Sequence, residues 1–188
     1  MEKKLRILVI NPGSTSTAIA LFEDDKLLDK ETIRHAAKEL SKYKKIFDQH
    51  KFKEEIIINF LKKKNIEINS SNTIVGRGGV LKPVKSGAYR INKLMLEDLK
   101  ERPRVEHASN LGAVIAYDLA QQIGVPSFIV DSVAVDELEP VARISGMSDI
   151  ERESLCHVLN LKAAARRMAQ ELGKSYEELD LKNILSGD

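Results

Sequence analysis

The 188-residue chain is 43% hydrophobic and 31% charged, with a formal net charge of +2. That balance supplies the core of one domain or one and a fraction, and it gives no electrostatic argument for nucleic acid or an acidic membrane surface as partner. Its single cysteine, Cys156, excludes an internal disulfide and fits a reducing compartment.

Met1-Glu2-Lys3-Lys4 runs straight into a strand-like segment, without the longer apolar region of a signal peptide, and no stretch approaches the length of a membrane span. The expectation is a soluble cytoplasmic protein. Leu5–Ile10 is a nearly continuous apolar run, as for a strand covered on both faces. Asn11-Pro12-Gly13-Ser14-Thr15-Ser16-Thr17 follows, then a second strand over Thr17–Phe22. Gly13 lets the backbone approach a ligand closely, and hydroxyls and turn N–H groups can hydrogen-bond phosphate oxygens. The turn reads either as a phosphate-binding hairpin or as an ordinary Asn/Pro/Gly turn. A charged reverse turn at 23–26 leads to a third strand over Leu27–His35, and this meander puts the polar turn at an edge of the sheet.

Ala36–Lys45 and Phe52–Lys64 have helical spacing. In the second, Phe52, Ile56 and Phe60, with Ile57 and Leu61, form the apolar stripe. Lys51, Lys53, Lys62, Lys63 and Lys64 read as its solvated face, since no interleaved aromatics are present to stack bases. Thr73–Val75 is a short strand running into Gly76-Arg77-Gly78-Gly79. Glycines clear space and a guanidinium grips a carboxylate or phosphate with paired hydrogen bonds; the alternative is a flexible loop with an incidental arginine.

Ile91–Lys100 reads as a helix ended by Pro103. His107-Ala108-Ser109-Asn110-Leu111-Gly112 opens another, capped by Ser109 or Asn110 and closed by Gly124 and Pro126. Its N-terminus is a ready anion site, and His107 reads equally as a ligand there or as a hydrogen-bonded loop residue. Ser127–Val130 is a strand ending in Asp131, a carboxylate placed where α/β sheets carry their chemistry. Asp136, Glu137 and Glu139 read mostly as surface charges. Asp149–Leu155 reads as helical, Leu159–Leu172 as a helix stopped by Gly173, and Ser175–Glu178 as a capping box. Cys156 and His157 are helix neighbours that point in different directions, so His157 reads as a polar site residue rather than half of a Cys–His pair. His35, His50, His107 and His157 have no metal-ligand spacing, and without G-x-x-x-x-G-K-[ST] a P-loop kinase is unsupported.

Six segments occur together in the order seen in butyrate kinases: Asn11–Thr17; Gly76–Gly79; His107–Gly112; Val130-Asp131 with Val135–Glu137; Pro140–Gly146; and His157–Asn160 with Lys162–Arg167. The chain thus resembles the acetokinase family, within the actin, sugar-kinase and heat-shock ATPase superfamily. The resemblance implies an α/β, ribonuclease H-like (actin-like ATPase) first lobe, a mixed β-sheet flanked by helices. It implies a phosphotransferase with a carboxyl acceptor, moving a phosphoryl group reversibly between ATP and butyrate or another short-chain acid, with Mg²⁺. Asn11, Gly13, Ser14, Thr15 and Ser16 match the phosphate turn. Asp131, with Asn11, matches the metal position. Asp131, His157 and Arg77 match catalytic positions, and Arg77, Gly78, Gly79, His107 and Asn110 match substrate positions. Phosphoryl transfer spreads negative charge over equatorial oxygens, which Arg77, a protonated His157 and the metal would neutralise.

The sequence departs from the family at Ala18 (usually Lys), Ser132 (usually Pro) and Leu161 (usually Gln). Family chains also continue beyond the equivalent of Leu179-Asp180-Leu181 into a glycine-rich loop and a second lobe that carries the adenosine site, whereas here Gly187 stands alone before Asp188. The expected organisation is a first lobe over 1–150, then a connecting helix and the start of a second lobe over 151–188, with the second lobe absent. Little kinase activity is expected of this chain alone, with apolar surface exposed and a separately encoded C-terminal half as a candidate partner. A full-length protein is expected to be a homo-oligomer, with neither nucleic acid nor membrane as partner. The alternatives are a non-catalytic remnant or binding module of the first lobe, and a fragment of an acetate or propionate kinase.

Overall fold

The computed structural model describes residues 4–179. Its elements in chain order are β1 (Arg6–Pro12), β2 (Ser16–Glu23), β3 (Lys26–Arg34), α1 (Ala37–Leu40), α2 (His50–Lys63), β4 (Thr73–Arg77), β5 (Ala88–Arg90), α3 (Lys93–Lys100), α4 (Asn110–Ile123), β6 (Ser127–Val130) and α5 (Val158–Glu171). The strands form one mixed sheet in the order β3-β2-β1-β4-β6-β5. The meander β1-β2-β3 is antiparallel, β4 and β6 run parallel to β1, and β5 closes the far edge antiparallel to β6. The polar turn is therefore not at the sheet's edge strand. It caps β1, which lies between β2 and β4.

Side-chain alternation decides what the sheet buries. Leu8, Ile10, Ile19, Ile74 and Ile129 point to one face and are fully buried beneath α2 and α4. Ile7, Val9, Val75, Phe128 and Val130 point to the other and are half-buried. The expectation that β1 is covered on both faces is thus corrected. Among the described residues its second face is covered only in part, around Leu159 of α5.

Helix α4 is buried continuously from Asn110 to Ala116, and its small residues let it lie directly on β4. A Cβ on Gly76 would stand 2.1 Å from the Gly112 carbonyl oxygen, so the two backbones touch where no side chain fits. Gly124 ends the helix in the left-handed region at φ 71°, as its sequence position predicts.

Three further sequence expectations are corrected, and one strand is added. The helix over 36–45 is a single turn, α1, because none of its side chains is buried; a 3₁₀ turn at Ile46–Gln49 follows. The segment 149–155 is irregular: Ser145 Oγ hydrogen-bonds backbone groups of Met147 and Ile150, and Ser154 Oγ donates to Val135 O at 2.6 Å. Such side chain–backbone bonds compete with helix formation. Strand β5 has no counterpart in the sequence reading, being a three-residue edge strand too short for periodicity to reveal. In α2, Lys53 is not on the solvated face but fully buried, in one stripe with Glu54, Ile57, Phe60 and Leu61. Ser175 and Glu178 exchange the reciprocal hydrogen bonds of a capping box, with 176–179 in turns and bends.

Candidate phosphate and carboxylate site

Parallel register brings three of the candidate residues to one end of the sheet. Ile10 pairs with Gly76 and Gly76 with Ile129; one residue on, Arg77 pairs with Val130. Asn11, Arg77 and Asp131 therefore stand at the carboxyl ends of three adjacent parallel strands, where side-chain chemistry collects in α/β sheets. Asn11 and Arg77 line a cavity of about 140 Å³ with Val9, Val75, Val130, Leu159 and Asn160. Its walls are mainly aliphatic, with polar groups at one end. The Arg77 guanidinium pairs with no carboxylate among the described residues.

The β1–β2 turn is tied from behind and open in front. Gly13 N donates to Ser16 O at 2.7 Å, and His35 N to Thr15 O at 2.9 Å. Thr17 is fully buried and its hydroxyl lies 2.9 Å from His35 Nε2, so the last hydroxyl of the run is occupied inside the protein. Burial, reinforced by the charge on Lys53, holds the His35 imidazole below its ordinary pKa. Lys53 reaches the turn from α2 and donates from Nζ to Gly13 O at 2.8 Å; burial brings its ammonium down to about 8. Ser14 and Thr15 are exposed at the tip, and their N–H groups donate to no described residue.

Asp131 is buried and sits in the left-handed region at φ 39°, a conformation that non-glycine residues rarely adopt and that concentrates at functional positions. Its Oδ1 accepts from Ser86 Oγ at 2.7 Å and from Gly87 N at 2.8 Å. Lys162 of α5 donates to the same Ser86 hydroxyl at 2.8 Å and to Glu137 at 2.9 Å. One carboxylate oxygen is thereby fixed, and Oδ2 accepts from no described residue. The free Asp131 oxygen and the Asn11 side-chain carbonyl, two strands apart, are each the kind of oxygen donor that a hard divalent cation such as Mg²⁺ takes.

The remaining candidates are placed differently. A Cβ on Gly78 would meet Ser132 Cβ at 2.5 Å, and one on Gly79 would meet Asn110 Oδ1 at 2.4 Å, so both glycines pack the loop after β4 against its neighbours. Asn110 is buried, accepting from Val80 N and donating to Val105 O, both at 2.9 Å. His107 is exposed, with Nδ1 accepting from Ser109 N and 2.8 Å from Ser109 Oγ at the head of α4. His157 is exposed at the N-cap of α5 and does not line the cavity; Asn160, three residues on, does. Sequence reasoning missed Asn160, Ser86, Lys162 and Lys53. Asn160 and Lys162 lie inside the last recognised segment, whereas Ser86 and Lys53 carry no local signal. Away from this end, His50, Glu54 and Asp118 converge between α2 and α4, although sequence spacing gave no such grouping. Glu54 is already held by Lys51 Nζ at 2.7 Å and Gln122 Nε2 at 2.9 Å.

No family model matches the chain. In fold it is similar to acetate kinase from Porphyromonas gingivalis (TM-score 0.59, 15% identity, 92% of this chain and 50% of that one). It is likewise similar to acetate kinase from Entamoeba histolytica (0.54, 15%, 88% and 47%) and a propionate kinase from Francisella tularensis subsp. tularensis (0.52, 17%, 90% and 50%). With its mixed sheet and flanking helices, the chain has the actin-like ATPase fold. In sequence it is 55% identical over 176 residues to butyrate kinase 1 of Clostridium acetobutylicum, covering 94% of this chain and 50% of that protein. The chain spans about half the length of the curated relative it matches.

Proposed function

We propose that this chain is the phosphate-turn lobe of a short-chain carboxylate kinase of butyrate kinase type, which moves a phosphoryl group between ATP and butyrate or a branched short-chain acid. The observation that carries the reading is the alignment of Asn11, Arg77 and Asp131 at the ends of three parallel strands. The open N–H and hydroxyl groups of Ser14 and Thr15, with Gly13 and Ser16 shaping the turn, receive phosphate oxygens. Arg77 receives the acid's carboxylate or the transferring phosphoryl, and the aliphatic wall of Val9, Val75, Val130 and Leu159 takes the short alkyl chain. Asp131 and Asn11 would hold Mg²⁺, which would neutralise charge on the phosphate oxygens when bound. Exposed His157 is assigned to the transferring phosphoryl, and Gly78, Gly79, His107 and Asn110 to shaping the substrate side. Catalysis on this arrangement is positioning and charge neutralisation, the two demands of phosphoryl transfer.

The high identity to a butyrate kinase favours butyrate over acetate or propionate as the acceptor. The test is isothermal titration of the 188-residue chain with Mg·ADP and with butyryl phosphate, beside a coupled assay with ATP and butyrate. Saturable binding, weakened by Arg77→Ala and Asp131→Asn, with little turnover by this chain alone, is expected. Absence of binding, or binding indifferent to both substitutions, overturns the reading.

A further inference from the structure

We propose that Lys53 supplies the positive charge of the phosphate turn, acting through the Gly13–Ser14 peptide rather than by touching the ligand. The inference rests on the reading of Asn11–Thr17 as an anion site and adds the source of its charge.

Lys53 is fully buried, yet it makes no ion pair among the described residues. Of the other lysines of this helix and its end, Lys51 pairs with Glu54, Lys63 with Glu31 and Lys64 with Asp29, while Lys62 is exposed to water. A buried charge without a counter-charge is among the most costly features a fold can hold. A methionine would fill the same stem volume without that cost, so packing alone does not account for an ammonium here. Its one hydrogen bond goes to the Gly13 carbonyl, at 2.8 Å. An ammonium has three donors and no acceptor.

The geometry of the peptide unit gives the role. In a trans peptide the C=O and N–H point in opposite directions, and the described chain has no cis peptide bond. Drawing the Gly13 oxygen inward onto Nζ turns the Ser14 N–H outward, at the exposed tip where no described residue accepts it. Cation, carbonyl, amide and incoming anion then lie in one line, along the dipole of about 3.5 D that each peptide carries. The ammonium polarises the N–H that meets the anion, and the anion is the counter-charge that Lys53 lacks. The ligand class is a phosphate or phosphoanhydride oxygen.

The test is ¹H–¹⁵N NMR titration of the 188-residue chain with inorganic phosphate and with ADP, following the Ser14 and Thr15 amides. Lys53→Met removes charge and hydrogen bond; Lys53→Gln keeps a donor for Gly13 O without charge, and decides the matter if the methionine variant does not fold. Expected in both variants are at least tenfold weaker phosphate binding, an upfield Ser14 amide proton before ligand is added, and a melting temperature no lower than wild type for any folded methionine variant. Wild-type affinity and an unmoved Ser14 amide in Lys53→Gln overturn the role of Lys53 while leaving the anion site standing. A wild-type chain whose Ser14 and Thr15 amides respond to neither ligand overturns the anion site and this inference together.

Discussion

Replacing Gly112 by alanine sets two effects against each other. Gly112 lies within the first turn of α4, and in an exposed helix interior a Gly→Ala change stabilises by about 1 kcal/mol. Here the new Cβ would stand 2.3 Å from the Arg77 carbonyl oxygen and 3.0 Å from Arg77 N. Reaching ordinary contact requires the backbones to part by about 1 Å. Both obstructing atoms are backbone, so no side chain can swing aside, and α4 is buried from Asn110 to Ala116. Overpacking of this kind costs about 1–3 kcal/mol, and an unyielding neighbour puts this case at the upper end. The net expectation is destabilisation of about 2 kcal/mol, a fall in Tm of roughly 4–8 °C for a chain of this size. Thermal unfolding followed by circular dichroism measures it. Gly146→Ala, with nothing within 4 Å of its Cβ, is the control and should leave Tm unchanged. The strand that Gly112 touches ends in Arg77, so phosphate affinity should fall as well. A Tm for Gly112→Ala at or above wild type would refute the close-packing argument and leave helix propensity as the larger effect.

Thr17→Val removes a buried hydroxyl and strands the His35 ring nitrogen 2.9 Å away; a loss of about 1–3 kcal/mol is expected from the urea midpoint, with m unchanged. Asp131→Asn keeps an acceptor for Ser86 Oγ and Gly87 N, so Tm should move little while Mg·ADP affinity falls; a large loss of Tm with affinity intact would contradict the proposed metal role. Stability should also depend on pH through Lys53. Between about 8, its value in the fold, and 10.5, its ordinary value, the unfolded chain holds a proton that the folded chain has released. Unfolding free energy therefore rises with pH across that window, by at most ~1.4 kcal/mol per unit, and the rise should vanish in Lys53→Met. His35 and His50 are both held below the ordinary 6.5 by burial, so on the acid side the unfolded chain again binds more protons and stability falls as pH drops below 6.5. Equilibrium urea unfolding at a series of pH values reads both limbs.

Much of this protein was legible in its sequence because the relevant signals are local. The apolar run before Asn11, the short run of β6 before Asp131 and the glycine that stops α4 each act within a few residues, and the strand bounds came out within one or two positions. The recognised segments also named most of the residues that meet at the carboxyl ends of β1, β4 and β6. What the tertiary structure decided was which side chains face one another. Periodicity placed Lys53 among solvated lysines because a lysine is polar wherever it occurs; only the docking of α2 beneath the β1–β2 turn buries it against Gly13. Thr17 read only as the last residue of the hydroxyl run, and it is the end of β3 that brings His35 against it. Gly76 and Gly112 read as a loop glycine and a helix-start glycine, 36 positions apart, and their contact exists only where α4 crosses β4. Ser86 and Lys162 likewise meet at Asp131 from distant parts of the chain. Local hydrogen bonding and hydrophobic alternation write the elements into the sequence, whereas pairing between distant residues depends on packing that no short stretch of chain contains.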